Sequence, residues 1–127
     1  MPILFVIGRI LVGGYFLNGG YNHFKNLSHM AGYAGSKGVP APKLAVGFSG
    51  LLLIIGGASI LLGSWTNIGI YSIILFLIPV TFKMHAFWQD TDQAVKMSNK
   101  INFMKNVAIL GLVLMLLSLP VPWMNSF

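Results

Sequence analysis

Apolar residues run through this chain in four long blocks, too uniformly for either helical or strand periodicity to show, so length and breaks must define the elements. The blocks cover residues 2–24, 44–63, 65–88 and 103–119. The second holds no charged residue; the first contains Arg9, the third carries Lys83 and His85 near its end, and the fourth has Lys105 near its start. Each reaches or approaches the roughly 20 residues that cross a bilayer core as helix. The blocks are too long and too uniformly apolar for barrel strands. The first has no basic leading region and keeps its arginine inside the apolar run, so it reads as a span and not as a cleaved leader. The pattern therefore predicts an all-α, integral membrane four-helix bundle built as one domain over residues 1–127.

The connections differ. "SWTN" (64–67) is a tight hairpin. The first loop, "HFKNLSHMAGYAGSKGVPAPK", is long and rich in Gly and Pro, and "GVPAP" reads as an extended lead into the second block. The third loop, 89–102, is polar with room for some helix. Pro79 cannot donate to the carbonyl of Leu75 and should loosen the third helix.

Composition agrees with lipid as the solvent: 56% of the 127 residues are hydrophobic and 8% are charged, against about 25% charged in soluble domains. The formal net charge of +6 comes from eight Lys and Arg against Asp90 and Asp92. The lysines flank apolar blocks and form no stripe among polar neighbours, so nucleic acid is not the expected partner. With four spans, loops one and three share a side. Lys25, Lys37, Lys43, Lys96 and Lys100 lie there, whereas Arg9 is the basic residue of the other side. The positive-inside rule puts those loops in the cytoplasm and both termini outside. The chain has no cysteine, which removes thiol chemistry by its own residues.

The scarce polar groups collect where the first and third blocks end and the fourth begins. Asn18, Asn22, His23 and Lys25 fall at a depth similar to Lys83, His85, Trp88 and Asp90, with Lys105 and Asn106 alongside. If helix continues through the third block, Thr81, His85, Trp88 and Asp92 share a face, opposite Lys83, Phe87 and Asp90. Gly14, Asn18, Asn22 and Lys25 form a stripe on the first. The expectation is a shallow polar pocket in which the His85 face looks at Asn18 and Asn22. Interfacial anchoring is the simpler reading of Lys83, Phe87 and Trp88. Arg9 lies about 21 Å of helix from His23 and stays out of this cluster. It either snorkels outward or bonds to carbonyls of a neighbouring helix, and with no carboxylate at its depth the expectation is an external anion or carbonyl: a partner subunit's residue, a symmetry mate's helix end or a lipid headgroup. In the second block, Ser49, Gly56, Ser59 and Gly63 lie on one side and suit close helix packing, as do the Gly pairs at 13–14, 19–20 and 56–57.

The stretches "RILVGGYFLNGGYNHF", "YAGSKGVPAP", "FSGLLLIIGGASILLG", "MHAFWQDTD" and "NFMKNVAILG" occur in the order seen in the DoxX family of small four-helix bacterial membrane proteins, and the chain resembles that family over almost its whole length. The resemblance implies a four-helix bundle in the bacterial inner membrane. The family name comes from a subunit of a thiosulfate:quinone oxidoreductase, and other members are linked to membrane redox complexes. By this resemblance Arg9, Lys25, His85, Trp88, Asp92, Lys105 and Asn106 carry family positions. Members often have Glu in the second helix and third loop, whereas this chain has no Glu and offers Asn99 and Lys100 in the loop.

Four function classes follow. An accessory or scaffold subunit of a redox-linked membrane complex, or a homo-oligomer, needs no catalytic residue and suits the small-residue faces and Arg9. A quinone site would use His85, Trp88, Asn18, Asn22 and Lys83, which supply hydrogen-bonding groups beside aromatics. Transport would require an oligomer, because four short helices without a repeat make a poor pathway. A metal or haem site on His23, His29 and His85 lacks Cys and Glu support. The first class is the leading expectation; no cofactor is fixed by the residues, and quinone is the candidate.

Overall fold

The computed structural model describes residues 2–123. It is all-helical, with no strand among the described residues. Five α-helices follow in order: α1 (Pro2–Lys25), α2 (Leu27–Ser36), α3 (Pro42–Leu62), α4 (Thr66–Met84) and α5 (Gln93–Leu117), with a short 3-10 turn at Phe87–Gln89. Four of these helices, all but α2, are long and apolar enough to cross a membrane.

Local chemistry sets several boundaries. Pro42 sits in the first turn of α3, where its missing N–H costs nothing. Gly63 ends α3 at φ 71°, and its N–H donates to the Ser59 carbonyl at 2.8 Å. Asp92 starts α5 by accepting from the backbone N–H of Ala94 at 2.8 Å and of Val95 at 3.4 Å. Pro79 lies inside α4, which continues to Met84.

Three expectations change. The first connection is not loop throughout: "LSHMAGYAGS" forms α2, and Ala31 and Ala34 pack against Val46 of α3, while residues 38–41 lead without helix into α3. The third span does not run as helix to Trp88; it stops at Met84, so the face shared by Thr81, His85, Trp88 and Asp92 does not exist. Beyond the stop, Phe87 and Trp88 pack edge-on against Phe103 of α5, with ring centroids 5.5 and 5.6 Å away. The fourth helix begins at Gln93, ten residues ahead of the expected 103, because Asp92 caps it there.

Glycines hold the bundle's central seam. A Cβ added to Gly13 would lie 2.8 Å from the Gly57 carbonyl oxygen, and one added to Gly57 would lie 2.8 Å from that of Gly13. At the other end of the seam, a Cβ on Gly20 would sit 2.9 Å from the Gly50 carbonyl oxygen. The antiparallel pairs Gly13/Gly57 and Gly20/Gly50 thus let the α1 and α3 backbones approach where any side chain would push them apart. The small residues of α3 do not form one interface. Gly56 and Ser59 meet α4 at Ile73 and Gly69, Ser49 faces a cavity, and Gly63 caps the helix.

Helix α3 is therefore central, with α1 on one side and α4 on the other, and α5 packs on α4. Helices α1 and α5 share no comparable seam. Near the Arg9 end their gap is filled by Trp123, which is buried against Phe5 at 5.4 Å and joins the core of Phe16, Ile60, Ile70, Ile73 and Val113. Near the α2 end the gap is not filled, and a cavity lies there.

Candidate functional site

The cavity has a volume of about 520 Å³ and is walled by all five helices. Its apolar wall includes Phe16, Leu53, Phe76, Leu77 and Ile109. Its polar groups come from distant parts of the chain: Asn18, Asn22 and His23 from α1, His29 from α2, Ser49 from α3, His85 beyond α4, and Lys105 and Asn106 from α5. Asn18 and Lys105 are exposed, Asn22, His23 and His85 are half-buried, and Asn106 is only 8% exposed.

Two histidines are fixed by bonds to the protein. The Nδ1 of His23 lies 2.8 Å from the Gly19 carbonyl oxygen, one turn back on α1. A carbonyl can only accept, so Nδ1 carries the proton and donates. The ring rests edge-on against Phe76. His85 follows the last residue of α4, and its Nδ1 lies 3.3 Å from Asn99 Oδ1. Asn99 Nδ2 donates to Asp90 Oδ2 at 2.8 Å, and the other Asp90 oxygen pairs with Lys37 Nζ at 3.8 Å. The Asp90 carboxylate fixes the Asn99 amide with its nitrogen toward Asp90 and its oxygen toward His85. His85 Nδ1 must then be the donor. This short network ties the turn after α4 to α5 and to the residue following α2, so the first and third connections lie on the same side of the bundle.

Helix α5 presents its buried residues at a spacing of seven: Asn99, Asn106 and Val113. Two turns separate each pair, so all three share the inward face. Asn99 is taken up by His85 and Asp90. The Asn106 amide faces the cavity and has no hydrogen-bond partner among the described residues.

Other sequence-nominated residues fall elsewhere. Lys83 and Trp88 do not line the cavity; both are exposed, and Trp88 belongs to the aromatic cluster with Phe87 and Phe103. The physical reason is the helix stop at Met84, which turns Trp88 off the α4 axis. Asp92 is the cap of α5 and Lys25 lies 5.7 Å over the Tyr21 ring, both off the cavity. Arg9 is at the opposite end, 3% exposed, donating to the carbonyls of Ile60 at 3.3 Å and Leu61 at 3.1 Å, with its guanidinium 5.7 Å over Phe5. Those carbonyls belong to the last turn of α3, whose intrahelical acceptors are left over and whose dipole favours a cation. Acceptors within the chain thus account for its burial without an outside anion.

Of the nominated pocket, the structure brings Asn18, Asn22 and His85 together and adds Lys105 and Asn106. Asn99 and Asp90 were not nominated. The capping aspartate at 92 was the available signal, because a helix starting there carries Asn99 and Asn106 on one face. No group of three His, Cys, Asp or Glu among the described residues is arranged to hold a metal ion.

The sequence model of the DoxX family matches residues 4–86. Inner membrane protein YphA of Escherichia coli strain K12 is 31% identical over 115 residues, covering 91% of this chain and 81% of that protein. No solved structure matches.

Proposed function

As this chain belongs to the DoxX family, we propose that it is an inner-membrane protein that binds a quinone-class molecule in its cavity, as an accessory subunit of a membrane redox complex. One observation carries this reading: Asn106, a residue only 8% exposed on the inward face of α5, opens its amide onto the cavity and has no hydrogen-bond partner among the described residues. Polar groups inside a protein are nearly always satisfied, and an amide that opens on a cavity can take its hydrogen bond from a molecule held there, whereas the buried Trp123 Nε1, also without a partner among the described residues, lines no such cavity. The cavity volume of about 520 Å³ lies within the range of about 300–1,000 Å³ typical of small-molecule sites. Aromatic and aliphatic walls with a few convergent polar groups suit a ring bearing oxygens. The absence of a packed α1–α5 seam on that side supports a way in for a molecule dissolved in lipid.

The role is holding, not conversion. The chain has no cysteine and no nucleotide-binding motif, so electrons would enter from a partner protein. The lysine-rich side, with α2 and the turn after α4, faces the cytoplasm by the positive-inside rule, and the termini lie outside. Cysteines placed at Ser36 and Ser64 should then label from opposite sides of spheroplasts; outside labelling at Ser36 would reverse the orientation.

Purification in mild detergent, followed by solvent extraction and mass spectrometry, tests the ligand. Wild-type protein should retain a quinone-class molecule, and Asn106→Leu should lose most of it. Equal retention by both, or none by wild type, would contradict the reading.

A further inference from the structure

Resting on the reading of the cavity as a quinone-class site, we infer that it selects the hydroxyl-bearing, reduced form of its ligand over the carbonyl form. The inference comes from which nitrogen is already committed in two of the three cavity histidines, His23 and His85. His23 Nδ1 donates to the Gly19 carbonyl at 2.8 Å. His85 Nδ1 donates to Asn99 Oδ1, and the amide cannot turn round because its nitrogen donates to the Asp90 carboxylate at 2.8 Å. In a neutral ring with Nδ1 protonated, Nε2 carries a lone pair and no proton. Neither Gly19 nor Asn99 binds the ring from the Nε2 edge. Asn99 does not line the cavity, whereas both histidines do. These two rings therefore leave two hydrogen-bond acceptors for a ligand, one from α1 and one from the turn after α4.

An acceptor repels a carbonyl oxygen and welcomes a hydroxyl. A quinone offers only carbonyl oxygens, which would be served by the donors Lys105 and the Asn106 amide but not by the histidines. A hydroquinone donates to His23 or His85 through each O–H and still accepts from Lys105 or an asparagine through the same oxygens. Sites built around a ligand's hydroxyl reject analogues lacking it, because the buried acceptor is then left unpaired. Asn99 is a positioning residue here: it touches no ligand and acts by holding His85 in one tautomer, as partners of functional histidines commonly do.

Two measurements decide the matter. Nitrogen NMR of protein labelled with ¹⁵N-histidine reports the tautomer without any ligand, and wild type should show Nδ1 protonated and Nε2 bare at His23 and His85. A protonated Nε2 at both in the neutral ring would overturn the inference. Asn99→Leu should convert the His85 signal to a tautomer mixture and leave His23 unchanged.

The second measurement is anaerobic titration of protein in nanodiscs with three probes: 2,3-dimethyl-1,4-naphthoquinone, its dithionite-reduced quinol, and the quinol's bis-methyl ether. The quinol should bind about tenfold tighter or more than the other two, as expected of two modest hydrogen bonds gained together. His85→Phe and His23→Phe should each erode that ratio. Quinone binding as tight as quinol overturns the inference and leaves the ligand reading standing. Binding of no probe overturns both.

Discussion

The two ends of the bundle treat polar groups in opposite ways. At one end Arg9 is nearly as buried as a core isoleucine, yet its charge is met: the guanidinium takes carbonyls of the last turn of α3 and lies over Phe5, and among the described residues only the indole N–H of Trp123 beside Phe5 is buried there without a partner. At the other end the asparagines and histidines also come together, but among them only His85 and Asn99 bond to one another. His85 spends one ring nitrogen on Asn99, Asn99 spends its amide on His85 and Asp90, and Asn106 spends none among the described residues. The first arrangement is what structure alone requires of a charge in an apolar setting. The second leaves bonding capacity over, and the surplus faces a cavity. The difference teaches where stability and binding reside.

The comparison breaks most visibly if the seam common to both ends is disturbed. Gly57→Val should be the most damaging substitution, destabilising by about 3 kcal/mol or more, because the new side chain meets the α1 backbone. Loss of the folded fraction in a detergent melt would show it; a mild effect would mean that the helices can move apart. Arg9→Met should come next. It leaves two carbonyls without their donor and should cost about 1–3 kcal/mol, with no change in the cavity's ligand. Reduced ligand retention by Arg9→Met would show that the two ends are coupled. Asp92→Ala removes the cap of α5 and should cost about 1 kcal/mol. Lys37→Ala breaks a 3.8 Å pair at the water-facing end and should cost less than about 1 kcal/mol. An effect of Lys37→Ala as large as that of Arg9→Met would mean that the Asp90 network also carries stability.

The spans were legible because lipid demands only length and apolarity, and four blocks supply both. The small residues were legible as packing, but not their partners, since Gly13 and Gly57 are neighbours only after α1 and α3 fold together. Helix α2 was hidden by its glycines and serines, which resemble a loop until Ala31 and Ala34 find α3. Trp88 misled because an apolar run continues past Met84 although the helix does not. Asn99 was missed for the converse reason: a polar stretch read as loop is helix from Gln93 onward. Arg9 admitted two readings, and the α3 carbonyls that receive it cannot be seen in a charge pattern.

The claim that polar capacity at the cavity end is kept for a ligand is tested most directly by thermal melts of wild type and Asn106→Leu, each with and without the reduced naphthoquinol. A ligand that binds only the folded state raises the melting temperature in proportion to its occupancy. The account predicts that the quinol raises the wild-type midpoint and not that of Asn106→Leu, while the ligand-free variant melts at or above wild type because its unpaired amide is gone. A ligand-free variant that melts well below wild type, with no quinol effect on either protein, would contradict it and make Asn106 a structural residue like Arg9.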